Sequence, residues 1–230
     1  MNTLDRTSVG EIVLLLVPCL WLAFAGGSDA TSQGTAGRGG SDMPMSSRTV
    51  LGIVLGRSNL ADVQEKLGAA KIWSQGDAST AEQVICYVTA EPHGVAVIFA
   101  SNSEMAGPSE VTDMTIMRSD AYSQRSNCGR LTISAANVET SSGLNLRTSQ
   151  ARIRQMLGPP PHRTATTWTY IWGVNESLPE SDKNYRYWLS RKGECFDGKQ
   201  PFTTVSSEME ISFAEDAVTS LHLQRIESIC

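Results

Sequence analysis

The sequence predicts an α+β fold of two tandem repeats, each a short helix packed on an antiparallel sheet of three to four strands. Residues 143–158 repeat the pattern of residues 52–68: an apolar lead-in, a small polar residue, a helix of about ten residues and a glycine. Residues 111–118 also match residues 218–225, sharing valine, threonine and arginine. Similarity at both ends, in the same order, indicates a duplicated unit.

The first predicted helix has clear start and stop signals. Its apolar stripe consists of Leu60, Val63 and Leu67. Ser58 or Asn59 can serve as the N-cap, because short polar side chains accept hydrogen bonds from the free amides of a first turn. Gly68 then ends the helix.

The second predicted helix follows the same plan. Its stripe consists of Ile153, Met156 and Leu157. Thr148 or Ser149 can cap it, and Gly158 stands where a left-handed residue ends a helix. The prolines at 159–161 forbid continuation. A helix this short is marginal alone, so each must pack on a sheet.

Short apolar runs between turn residues predict the strands. They cover residues 84–89, 94–100 and 111–118 in the first half, and residues 167–172, 184–190, 209–213 and 218–224 in the second. Each helix is expected to cover one face of its sheet, which leaves the other face for another contact.

The length of 230 residues suits one large or two small domains. The expected organisation is a signal peptide at 1–25, a flexible linker at 26–47, repeat unit one at 48–118, a linker at 119–142 and repeat unit two at 143–230. The first linker is rich in glycine, serine and threonine. These residues bury too little apolar surface to offset the entropy lost when a chain becomes ordered. The second carries apolar residues at 131–133, so we expect it to be partly structured and able to add an edge strand.

The leader contains the only strongly apolar run, residues 12–24. It is shorter than the roughly 20 residues that cross a bilayer, so it is typical of a signal peptide. Small residues at 23 and 25 predict cleavage after Ala25 and a periplasmic or secreted protein. A retained anchor and a buried helix are the alternatives, and only a retained leader would give membrane contact. Pro18 before Cys19 departs from a lipidation signal.

Composition argues against several functional classes. The formal charge of −5 provides no basic field for a nucleic acid. No closely spaced Cys or His pair predicts a metal site, and no cofactor motif is present. His93, His162 and His222 are scattered and lack a recognisable catalytic context. The sequence therefore predicts no catalytic residue, no metal, no cofactor and a protein that is not an enzyme.

Four cysteines remain after the leader: Cys86, Cys128, Cys195 and Cys230. An even number in an exported chain favours disulfides, and four cysteines permit three connectivities. We favour Cys86 with Cys128 and Cys195 with Cys230, because Cys128 and Cys230 each follow the last strand of their unit. Free buried thiols in a reducing compartment are the alternative.

An aromatic cluster is the predicted interaction surface. Its members lie on two consecutive predicted strands: Trp168, Tyr170, Trp172, Tyr185, Tyr187 and Trp188. Tyrosine and tryptophan bury much area with few rotatable bonds, which suits protein recognition. Cross-strand packing beneath the helix is the alternative role.

The second half resembles a known family at a short set of positions. These are Gly143, Thr148 or Ser149, Ile153, Leu157, Gly158 and Pro160, then Trp168, Tyr170, Phe213, Val218, Leu221 and Leu223. This pattern is similar to the SmpA/OmlA family, small lipoproteins of the outer-membrane barrel assembly machine. Two such units in tandem also resemble the beta-lactamase inhibitory protein. Both resemblances imply a non-enzymatic protein that binds other proteins.

The expected function is an exported adaptor or inhibitor-like module that presents the aromatic sheet face to an unknown protein partner in the envelope or extracellular space. The alternative is an envelope sensor or carrier that binds a small apolar ligand between helix and sheet.

Overall fold

The computed structural model describes residues 40–76, 82–102, 110–181, 185–190, 196 and 199–228. The predicted signal peptide, Cys195 and Cys230 lie outside these residues. Among the helices of the described residues, none has the length and hydropathy needed to span a bilayer.

The described chain contains three α-helices: α1 (Leu60–Leu67), α2 (Gln150–Leu157) and α3 (Tyr185–Ser190). The strands before residue 130 are β1 (Thr49–Val50), β2 (Ile53–Val54), β3 (Ile72–Gln75), β4 (Glu82–Thr89), β5 (Val95–Asn102), β6 (Asp113–Arg118) and β7 (Gly129–Leu131). The remaining strands are β8 (His162–Arg163), β9 (Thr167–Ser177), β10 (Phe202–Ala214) and β11 (Ala217–Ser228).

A single nine-stranded sheet dominates the fold. Eight of its strands lie in the order β3-β4-β5-β6-β11-β10-β9-β8, and the ninth is β7. All neighbours along this path are antiparallel, while β7 pairs parallel with β4 beside β3. The predicted fold class, two helix-on-sheet repeats with three or four strands each, is therefore wrong. The physical reason is that β6 and β11 pair with each other, because separate sheets would leave two unpaired edges.

The caps of α1 and α2 match the sequence signals. Asn59, rather than Ser58, caps α1 in a reciprocal capping box with Asp62. Ser149, rather than Thr148, caps α2 by accepting a hydrogen bond from the Arg152 amide. Gly68 and Gly158 end the helices with φ angles of 94° and 81°, which favour glycine.

Both helices pack on the same side of the sheet, which we call the covered face. Strand residues facing this side join Leu60, Val63 and Ile153 in one buried cluster. Its strand members include Ile85, Tyr87, Val97, Phe99, Met114, Ile116, Trp168, Tyr170, Met209, Ile211, Phe213, Leu221 and Leu223. The Tyr87 hydroxyl donates to the Gly68 carbonyl at 2.6 Å, and the Tyr170 hydroxyl donates to the Gly158 carbonyl at 3.0 Å. Each tyrosine thus fixes one helix end to the sheet.

Residues 40–48 are tied to the covered face through Asp42. Its carboxylate accepts hydrogen bonds from Arg48 and Arg225, with an Arg225 Nη1 to Oδ1 distance of 2.9 Å. Met43 is 1% exposed and joins the buried cluster. The end of the segment expected to be a linker therefore packs against the sheet.

One predicted strand is wrong. Residues 184–190 were expected to be extended, but residues 185–190 form α3. The run Tyr-Arg-Tyr-Trp-Leu-Ser alternates polar and apolar residues only briefly, so periodicity cannot distinguish a strand from a helical turn. The other predicted strands are present, with β9, β10 and β11 extending further than expected.

Residues 119–142 contain three 3₁₀ turns and β7, so they contribute the short strand that the apolar residues suggested. The disulfide between Cys86 and Cys128 is confirmed, and it joins β4 to this segment. The Cys195–Cys230 pairing remains a prediction outside the described residues.

Removing the confirmed disulfide should destabilise the fold. The bridge closes a loop with a sequence separation of 42 residues, so losing it should lower the free energy of unfolding by about 4 kcal/mol. Urea denaturation of a Cys86→Ala/Cys128→Ala variant against the oxidised wild type measures this. An unchanged denaturation midpoint would contradict the expected contribution of the bridge.

Candidate functional site

The six aromatic residues predicted to form one surface are divided by the structure. Trp168 and Tyr170 are each 3% exposed and lie on the covered face. The Trp168 ring lies 5.0 Å from the Phe213 ring, with the Arg154 guanidinium 4.8 Å from its centroid. Trp168 and Tyr170 therefore have the alternative role, packing on the sheet beneath the helix.

Three of the other four aromatic residues are more accessible. Trp172 stacks on Tyr170 with ring centroids 6.0 Å apart and is half-buried. Tyr185 is half-buried and Tyr187 is 49% exposed, both on α3 rather than on a strand. The Trp188 side chain lies outside the described part of the structure. The six residues therefore do not share one strand face.

The opposite side of the sheet, which we call the open face, keeps partial contact with solvent. Along β10, residues alternate between buried and half-buried as expected for a sheet with one covered side. The open face consists of Asp113, Thr115, Met117, Thr169, Ile171, Gly173, Ser206, Glu208, Glu210, Ser212, Ser220, His222, Gln224 and Ile226. In the sequence, the alternation of Glu208 and Glu210 with Met209 and Ile211 is the signal that could have identified the open face.

Registry brings carboxylates around a histidine at the centre of the open face. His222 stands opposite Glu210 on one side and Thr115 on the other. Its Nε2 atom lies 3.4 Å from Asp113 Oδ1, and its side chain is 40% exposed. The hydrogen bond to Asp113 raises the pKa of His222 most, burial opposes the rise, and the charges of Asp113, Glu210 and Glu208 add to it.

This centre can exchange a proton and can present negative charge. Within the described residues, no group of three His, Cys, Asp or Glu side chains is arranged to hold a metal ion. The arrangement is an acidic, partly exposed surface whose charge depends on the protonation of His222.

Comparison with protein-family models, curated proteins and solved structures returned no match. These comparisons thus do not identify the SmpA/OmlA or inhibitor-like fold, and both resemblances remain expectations.

The His222 environment predicts a pH effect on stability. Because the folded state raises the pKa of His222, its charged form stabilises the fold. This contribution is fully present below the unfolded pKa of about 6.5 and is lost as pH rises through the higher folded pKa. Titration by NMR should show that Asp113→Asn lowers the pKa of His222. An unchanged titration curve would contradict the pairing.

Alanine substitutions should separate the packed aromatic residues from the exposed ones. Trp168→Ala removes a buried side chain and should lower the free energy of unfolding by about 3–5 kcal/mol. Tyr187→Ala changes a side chain that is 49% exposed and should lower the free energy of unfolding by much less than Trp168→Ala does. Chemical denaturation of both variants tests this difference, and equal destabilisation would contradict the assignment.

Proposed function

We propose that this chain is an exported, non-catalytic module that binds another protein through the open face of its sheet. The leader sequence supports export, and the geometry of the open face supports protein contact. The partner expected from this surface carries an apolar anchor surrounded by Lys or Arg side chains.

The observation that carries the proposal is a pair of exposed isoleucines on the open face. Ile171 on β9 is 51% exposed and Ile226 on β11 is 37% exposed. Ser206 and Glu208 of β10 lie between them, and Gly173 of β9 stands opposite Ser206. Standard strand spacing separates the isoleucines by about 12 Å, so an apolar side chain of a partner can contact both of them above Gly173 and Ser206.

Burying these side chains supplies a driving force for association. Complete burial of an isoleucine is worth about 1.5–3 kcal/mol, so the pair can anchor an interface. Anchors of this kind work best at the centre of a contact from which surrounding residues exclude water.

The negative charge around the isoleucine pair determines which partners can bind. Glu208 stands opposite Ile171 on β10, and Glu210 and Asp113 lie further along the same face. A basic rim on the partner would complement these carboxylates and accelerate association. Protonation of His222 would reduce this attraction, so binding should weaken as the pH falls through the raised pKa of His222.

The carrier alternative receives no support from the packing between helix and sheet. The cavity there is lined by Leu144, Ile153, Ile211, Val218 and Leu221, and it has no room for a water molecule. A ligand at this position would have to displace the buried cluster.

Affinity capture with crosslinking from the native envelope or secreted fraction would identify the partner, and titration with the purified partner would test the surface. An Ile171→Ser/Ile226→Ser variant should bind at least about tenfold more weakly, because the apolar anchors are gone. Ile72→Ser is the matched control. Ile72 is also 37% exposed, but it lies on β3, at the edge of the sheet far from β9.

The proposal requires that the double variant keep the thermal midpoint of the wild type and that Ile72→Ser keep its affinity. Retained binding by the folded double variant would exclude the open face. Equal losses in the double variant and in Ile72→Ser would point to non-specific adhesion. A Trp172→Ala/Tyr187→Ala variant tests whether the accessible aromatic residues take part.

A further inference from the structure

A cavity of about 340 Å³ lies beside the disulfide, at the end of β4. Val88, Thr89 and Pro92 line it from β4 and the following turn. Arg125 and Arg130 line it from the segment that carries Cys128. The volume falls within the range of small-molecule sites in proteins.

The disulfide holds the cationic wall of this cavity in place. Cys128 lies between Arg125 and Arg130 in the chain and is bonded to Cys86 of β4. The turn containing Arg125 and the strand containing Arg130 are thereby fixed next to β4. A covalent link lowers the entropy that the arginines' backbone would lose on binding a ligand.

Both arginines are available to a ligand. Neither guanidinium has an ion pair or a hydrogen bond within the described residues, and both side chains are exposed. Ser119 also lines the cavity, is only 6% exposed, and its hydroxyl has no hydrogen-bond partner in that part of the chain. Two exposed guanidiniums and a hydroxyl that faces the cavity form an arrangement suited to oxyanions.

The carboxylate that lines the cavity is already engaged in a hydrogen bond. Glu91 lines the cavity, and its Oε1 atom accepts a hydrogen bond from the Ala135 amide at 2.9 Å. Hydrogen bonds from Thr89 and Ala135 lower the pKa of Glu91, so it stays ionised. Its charge opposes an anion in the cavity but does not neutralise either arginine by direct contact.

We propose that this cavity binds a small oxyanion, either a carboxylate or a phosphate, with Arg125, Arg130 and Ser119 as its donors. Val88 and Pro92 provide an apolar side for the body of the ligand. The oxyanion belongs either to a free small molecule or to the acidic side chain of a bound protein. The proposal stands independently of the open-face function.

NMR titration of the full chain with inorganic phosphate, succinate and a hexaglutamate peptide tests the site. Binding should shift the amide signals of Ser119, Ser126 and Cys128. Arg125→Gln and Arg130→Gln should each weaken binding about tenfold, because a charge-assisted hydrogen bond is lost. Glu91→Gln should strengthen binding about threefold by removing the opposing charge.

Two further variants separate specific binding from an effect of net charge. Arg163→Gln makes the same charge change on β8, at the far edge of the sheet, and should leave affinity unchanged. Ser119→Ala should weaken binding without changing the net charge. Unchanged amide spectra outside the cavity verify that each variant is folded.

The outcomes separate the sources of the oxyanion. Binding of phosphate or succinate supports a free ligand, while binding of the peptide alone supports an acidic side chain of a partner protein. The proposal is overturned if none of the probes shifts the cavity signals. It is also overturned if Arg163→Gln weakens binding as much as the cavity variants do.

Discussion

Five residue pairs join β6 to β11 at the centre of the sheet, and the rest of the structure depends on this junction. On the covered face it places Met114 beside Leu223 and Ile116 beside Leu221, which makes the buried cluster continuous. On the open face it places His222 beside Thr115. Without this pairing each half would expose a strand edge, and neither the continuous core nor the open face would exist.

Three polar contacts then fix the layers on the covered face. The hydroxyls of Tyr87 and Tyr170 bind the carbonyl groups at the ends of α1 and α2, whose last carbonyls would otherwise lack partners. Asp42 joins residues 40–48 to Arg225 of β11. The helices are only eight residues long, so their stability comes from this packing rather than from intrinsic propensity.

The two surfaces singled out by the structure have opposite electrostatic character. The open face combines exposed isoleucines with carboxylates, whereas the cavity beside the disulfide contains two arginines that have no ion pair among the residues the structure describes. Because these charges are separated on one chain with a formal charge of −5, the two proposed partners, a basic protein surface and a small oxyanion, would be recognised independently. The open face rests on strands, whereas the cavity wall is held at the end of β4 by the disulfide and by the pairing of β7.

The sequence by itself determined the local features: the capped helices ended by Gly68 and Gly158, most strands, and the Cys86–Cys128 pair. These follow from periodicity, capping chemistry and cysteine placement, which act over short distances or through few partners. Only the tertiary structure decided that β6 pairs with β11, that Trp168 is buried, and which side chains form the open face. The pairing of these two strand edges joins residues more than 100 positions apart. No local pattern encodes that choice.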